Sequence, residues 1–147
     1  MKFDGPIILI DDDPDDSEIF CDALKEVGCA NEILCFQDGV AALEYFDQKH
    51  PEPFLIISDI NIPTMGGFEF KDELKKIKCD KLMGVPLIFM STLADQRKVT
   101  QAYAESVQGI FTKPSSYEEI KDMFSTVISY WKKCVQPDNK IHQKITD

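Results

Sequence analysis

The sequence predicts an α/β fold built on a parallel sheet, and three observations carry that prediction. Short apolar runs alternate with helix-period segments along all 147 residues. The alternation repeats five times, as parallel strands joined by right-handed helical crossovers require. The first, third and fourth runs are almost continuously apolar, the pattern of strands buried on both faces.

The elements follow in order. The first strand is expected over 7–10, and Phe20, Ala23, Leu24 and Val27 then form one stripe of a helix. That helix should begin near Pro14, a good first-turn residue, and stop at Gly28. A second strand is expected over 32–36. Asp38 can cap the helix after it, which bears Val40, Leu43 and Phe46. The third strand, 54–58, precedes a helix marked by Phe70, Leu74 and Ile77. The fourth, 86–90, precedes a helix near 95–106 whose stripe of Val99, Ala102 and Tyr103 is the weakest. After a fifth strand over 108–111, Ile120, Met123, Phe124, Val127, Ile128 and Trp131 repeat at helical spacing. Ser116 and Glu119 read as the capping box of that last helix. From Val135 the chain turns polar and contains Pro137, so the sequence predicts one folded domain over 1–134 and a flexible tail over 135–147.

Composition narrows the function. At 44% hydrophobic and 29% charged, the chain can bury a proper core. Lys and Arg number 16 against 26 Asp and Glu, a formal net charge of −10. That balance disfavours nucleic acid and anionic membrane surfaces as partners. Cys21, Cys29, Cys35, Cys79 and Cys134 are scattered, with neither zinc spacing nor a disulfide framework. The N-terminus does not read as a signal peptide, and no apolar run is long enough to cross a bilayer. A soluble, reduced, cytoplasmic protein is expected.

In an open α/β sheet, ligands bind beyond the carboxyl ends of the strands. There the sequence sets Asp11-Asp12-Asp13-Pro14-Asp15-Asp16 after the first strand and Asp59-Ile60-Asn61 after the third. Ser91-Thr92 follows the fourth and Thr112-Lys113-Pro114 the fifth. Carboxylates crowded at one edge repel one another unless a cation compensates, and an all-oxygen ligand set favours Mg²⁺. Lys113 supplies a second positive charge for a phosphate oxygen, and Ser91 a hydroxyl donor. Asp59 is placed to act as a carboxylate nucleophile forming an acyl phosphate.

The chain resembles the receiver domains of two-component response regulators, the family that includes the chemotaxis response regulator. The matching residues are Ile8-Leu9-Ile10-Asp11-Asp12, then Leu55 through Pro63 with Met65-Gly66-Gly67, then Phe89-Met90-Ser91-Thr92, then Phe111-Thr112-Lys113-Pro114. They stand in the family's order and spacing, over about Pro6 to Lys133. The resemblance implies a flavodoxin-like, doubly wound (βα)5 fold with strand order 2-1-3-4-5. It implies Asp59 as phosphoacceptor and Mg²⁺ as cofactor, held by Asp11, Asp12, Asp59 and the backbone carbonyl of Asn61. Ser91 and Lys113 would move toward the phosphoryl group. The donor would be a histidine kinase or phosphotransfer protein, and the chain would catalyse only its own phosphorylation and dephosphorylation. With no output domain attached, the signal would leave through contact with a downstream protein, and a homodimer through the fourth helix, fifth strand and fifth helix is allowed. At the family's aromatic switch position stands Ile110, beside Phe111, and two residues beyond the hydroxyl stands Leu93.

Simpler readings apply to the remaining features. Asp13, Asp15 and Asp16 read as helix N-terminal acids favoured by the dipole. Lys75, Lys76, Lys78 and Lys81 read as a solvated face, and His50 and His142 as a loop and a tail residue. A haloacid-dehalogenase-type phosphatase needs a second acid where Asn61 stands. A flavin-binding relative of the same fold would have its phosphate repelled by Asp11 to Asp16. A degenerate receiver that binds partners without phosphorylation would not need all these positions filled, as they are here.

Overall fold

A computed structural model describes residues 1–48, 50–76, 82, 84–92 and 95–137. Ile77, Lys78, Cys79, Lys81, Leu93 and His142, with positions 138–147 of the expected tail, lie outside the described residues. The chain runs β1 (Ile7–Ile10), α1 (Pro14–Glu26), β2 (Ile33–Phe36), α2 (Gly39–Phe46) and β3 (Leu55–Asp59). It continues with α3 (Gly67–Lys76), β4 (Leu87–Ser91), α4 (Gln96–Ala104), β5 (Gly109–Thr112) and α5 (Tyr117–Lys133). All strand pairs are parallel and the order is β2-β1-β3-β4-β5, the doubly wound flavodoxin-like arrangement.

Strand periodicity sorts the apolar runs into two cores. Ile7 and Leu9 of β1 face one side with Leu55, Ile57, Ile88 and Met90, where α1 and α5 cover them through Phe20, Leu24 and Phe124. Ile8 and Ile10 face the other with Ile56 and Phe89, beneath Ala42, Phe46, Phe70 and Ala102 of α2, α3 and α4. A fully buried side chain of this size stabilises by roughly 1.5–3 kcal/mol, which explains why β1, β3 and β4 are apolar on both faces.

The caps Asp38 and Ser116 fall where the sequence predicts, and Asp13 and Asp95 act as two more. Asp13, Asp38, Asp95 and Ser116 accept hydrogen bonds from first-turn N–H groups of α1, α2, α4 and α5. Gly28, at φ +80°, follows α1 in the left-handed region that favours glycine. Strand bounds differ by one residue. β3 and β4 run on to Asp59 and Ser91, because the ladder pairs Asp59 with Met90 and Ser91 with Thr112. Two stripe residues are corrected: Val40 and Tyr103 are exposed, whereas Phe46 and Ala102 of the same stripes are buried, and Ala42 shares the face of Phe46. Small residues let these short helices sit close to the sheet.

A second set of contacts anchors the amino-terminal end of the sheet. Buried Asn31 donates through Nδ2 to the carbonyls of Phe3 (2.8 Å) and Gly5 (2.6 Å), and its Oδ1 accepts from Lys132 Nζ (3.0 Å). Gln136 Oε1 accepts from the Phe3 N–H at 3.1 Å, so the chain just beyond α5 touches the N-terminal segment.

Candidate functional site

The in-phase ladder carries four strand ends to one edge. Asp11 continues the β1 ladder by donating its N–H to Phe36 O (3.0 Å), which fixes its carboxylate beyond the strand. Its Oδ1 accepts from the Asp13 N–H at 3.0 Å. Asp59, the last residue of β3, accepts on Oδ1 from the Asn61 N–H at 2.9 Å. Both carboxylates are buried, whereas Asp12 is exposed. Gly66 shapes the loop beyond β3: a Cβ there would stand 2.2 Å from the Ile60 carbonyl, so only glycine fits the close approach.

Lys113 joins the strand ends. Its N–H donates to Ser91 O at 2.8 Å, holding the segment beyond β5 against β4. Its Nζ lies 2.8 Å from Asp11 Oδ2, 2.9 Å from Asp59 Oδ2 and 3.0 Å from Asp16 Oδ2. The ammonium also sits 5.7 Å from the Phe20 ring centroid. Burial alone would push Lys113 down, but the three carboxylates outweigh it and hold the group above the ordinary lysine value. Asp11 responds in the opposite balance: burial pushes its carboxyl up, and Lys113 and the Asp13 N–H offset only part of that rise.

Ser91 is buried, and its Oγ accepts from Asn61 Nδ2 at 3.3 Å. Asn61 Oδ1 accepts in turn from Lys98 Nζ of α4. Beside this chain lies a cleft of about 400 Å³ lined in part by Asn61, Pro63, Phe68 and Lys98. One carboxylate oxygen from each of Asp11, Asp12 and Asp59 lies within 4.8 Å of the others. Three hard oxygen donors that close are a set suited to a divalent cation such as Mg²⁺.

The structure thus brings together Asp11, Asp12, Asp59, Asn61, Ser91 and Lys113, all named from the sequence. Two further neighbours, Asp16 and Lys98, were not assigned to the site. Asp16 pairs with Lys113 rather than serving only the helix dipole. The signal was its spacing, since Asp16 stands one turn before core residue Phe20 and shares its face of α1. Lys98 carried no sequence signal beyond its place in the first turn of α4. Asp13 is the N-cap, and His50 stacks on Tyr45 with ring centroids 3.9 Å apart, away from the carboxylates' partners.

Comparison with known proteins agrees with this geometry. Residues 7–125 match the model of the response regulator receiver domain. Response regulator Rcp1 of Synechocystis is 27% identical over 130 residues, covering 85% of this chain and 87% of Rcp1. Chemotaxis protein CheY of Halobacterium salinarum is 28% identical over 120 residues, covering 78% and 92%. The crystal structure of the phosphorylated cyanobacterial phytochrome response regulator RcpA superposes with a TM-score of 0.78 at 23% identity, over 90% of this chain and 98% of that one. The Mn(2+)-bound form of Rcp1 gives 0.74 at 26% identity, with the same coverage. No helix among the described residues is long and apolar enough to cross a membrane. By its family match, its strand order and the register of its strand ends, this chain belongs to the response regulator receiver domains of two-component signalling.

Proposed function

We propose that the chain receives a phosphoryl group on Asp59 from a histidine kinase or phosphotransfer protein and signals by altered protein contacts. The observation that carries this reading is the convergence of Lys113 on Asp11 and Asp59, with the Ser91 hydroxyl at the adjoining strand end. Asp11, Asp12, Asp59 and the Asn61 carbonyl would hold Mg²⁺, and Rcp1, a relative known in a Mn(2+)-bound form, supports a divalent cation there. When bound, that cation supplies positive charge against the phosphoryl oxygens.

The remaining work falls to the chain's own groups. An Asp59 carboxylate oxygen attacks phosphorus; the new O–P bond forms as the P–N bond to the donor imidazole breaks, and the imidazole leaves. Lys113, kept charged by its carboxylates, exchanges its contact with Asp59 Oδ2 for a phosphoryl oxygen. Ser91, whose Oγ accepts from Asn61, donates a hydrogen bond from its hydroxyl to another. Because Lys113 directly follows β5 and Ser91 ends β4, their movement is felt on the face formed by α4, β5 and α5. That face carries a groove of about 450 Å³ lined in part by Tyr103, Ile110, Phe111, Tyr130 and Trp131. Ile110 packs toward the α2–α4 side and Phe111 toward α1 and α5, so the pair spans both cores. A downstream protein, or a second copy of the chain, would read this face.

Intact-protein mass spectrometry after incubation with acetyl phosphate and Mg²⁺ tests the proposal, with Asp59→Asn in parallel. One phosphoryl adduct is expected on the wild type, labile at alkaline pH, and none on a variant whose circular dichroism is native. An adduct that persists on Asp59→Asn, or none on folded wild-type protein, would overturn it.

A further inference from the structure

Cys21 and Cys35 are fourteen positions apart in sequence, yet their sulfurs lie 2.7 Å from each other. The fold explains the meeting. Cys35 pairs in register with Leu9, whose side chain faces the α1 side of the sheet, so Cys35 points to the same side of edge strand β2. Cys21 follows Phe20 on α1 and packs against that same core. The separation is longer than a disulfide bond of about 2.05 Å and closer than two unbonded sulfurs rest, so a small shift of either side chain completes a bond. The other described cysteines have oxygen partners: Cys29 with Asn31 Oδ1 and Cys134 with the Tyr130 carbonyl, each at 3.5 Å.

We infer that Cys21 and Cys35 form a reversible disulfide, with a low-molecular-weight disulfide such as oxidised glutathione as oxidant, that ties α1 to the edge strand. Cys35 is exposed and Cys21 half-buried, which sets the order of steps. The Cys35 thiolate attacks the small disulfide, forming a mixed disulfide and expelling one thiolate. Cys21 then loses its proton and attacks Cys35 Sγ, expelling the second. Two protein thiols become one disulfide, and the oxidant, reduced by two electrons, leaves as two thiols carrying the two protons. In the dithiol, burial, followed by the contact with Cys35, pushes the Cys21 thiol up to about 12, so Cys21 is the poorer first nucleophile. The closed segment contains the α1 C-cap and Asn31, which fastens β2 to the N-terminal segment. Oxidation therefore restrains the junction between α1 and β2.

The test is to incubate the folded chain with oxidised glutathione, block free thiols with iodoacetamide and map the tryptic peptides. Lys25 separates the two cysteines, but Cys29 shares a fragment with Cys35, so Cys29→Ala is run beside the wild type. In both proteins a Cys21–Cys35 cross-linked peptide is expected, lighter by two hydrogen atoms and released by dithiothreitol. A rise in Tm of roughly 5–10 °C should accompany it, as expected for a loop of this length. Cys21→Ser should stop at a glutathione adduct on Cys35. A stable adduct in the wild type without internal cross-linking, pairing through another cysteine, or intermolecular dimers alone would overturn the inference.

Discussion

Lys113 is the residue on which the site's electrostatics turn. It is the cation shared by Asp11, Asp59 and Asp16, and its side chain is only 10% exposed. Removing one partner of a buried ion pair leaves uncompensated charge, at a cost of about 3–5 kcal/mol. Lys113→Met should therefore lower the urea midpoint sharply at neutral pH. The direction with pH follows from linkage. Asp11 already titrates above its ordinary value, and without Lys113 it would titrate higher still. A carboxyl raised in the folded state binds protons more readily there than in the unfolded chain, so its destabilising effect appears as pH rises and fades on acidification. The variant's deficit should narrow between pH 7 and pH 5. The wild-type Lys113 contribution, with its folded pKa raised, is complete below the ordinary lysine value and is lost only at strongly alkaline pH. A deficit independent of pH would mean that Lys113 acts by packing on Phe20. At this scale the sequence was informative wherever a residue stands within two positions of the end of an apolar run, as Asp11, Asp59 and Lys113 do. It said less about Asn61, whose side chain bridges Ser91 and Lys98 across three elements. No local pattern encodes such a bridge.

Among the elements, α5 has the clearest stripe and the clearest division of labour. Phe124 is 1% exposed and meets Phe20 of α1 edge to face at 5.8 Å, whereas Tyr130 is 62% exposed. Phe124→Ala should cost about 3–5 kcal/mol, the transfer term plus the cavity left behind. Tyr130→Ala should stay within about 0.5 kcal/mol. Urea denaturation distinguishes them: the midpoint falls for Phe124→Ala with an unchanged slope, and a similar loss for Tyr130 would mean the groove beside β5 is already filled. Legibility followed the same physics. Stripes of large residues, as on α1 and α5, could be read directly. On α2 and α4 the packing residues are Ala42, Phe46 and Ala102, and Val40 and Tyr103 point outward. Reading size as burial misplaces Val40 and Tyr103 and passes over Ala42, because a short helix close to a sheet also buries small residues. Strand ends were one residue short at β3 and β4 because polar Asp59 and Ser91 still belong to the ladder.

For the whole molecule, the strand order was legible through the family motifs rather than through periodicity, since five apolar runs alone are compatible with several orders. Net charge is the other molecular property that bears on the site. A chain of formal charge −10 repels itself, and any added salt relieves some of that by screening. A stabilising effect of Mg²⁺ would therefore combine a general source with the one proposed at Asp11, Asp12 and Asp59, and ionic strength separates them. With NaCl adjusted to keep ionic strength constant, Mg²⁺ at a hundredfold excess over its Kd should stabilise the folded chain by about 2.7 kcal/mol. That corresponds to roughly 5–10 °C in Tm for a chain of this size. Asp12 is the residue to change, because it is exposed while the other two carboxylates are buried and paired with Lys113. Asp12→Ala should leave the Tm without Mg²⁺ and its response to NaCl nearly unchanged, yet remove most of the Mg²⁺ increment. If the increment survives in that variant, Asp12 does not hold the cation, and the divalent response belongs to the acidic surface as a whole.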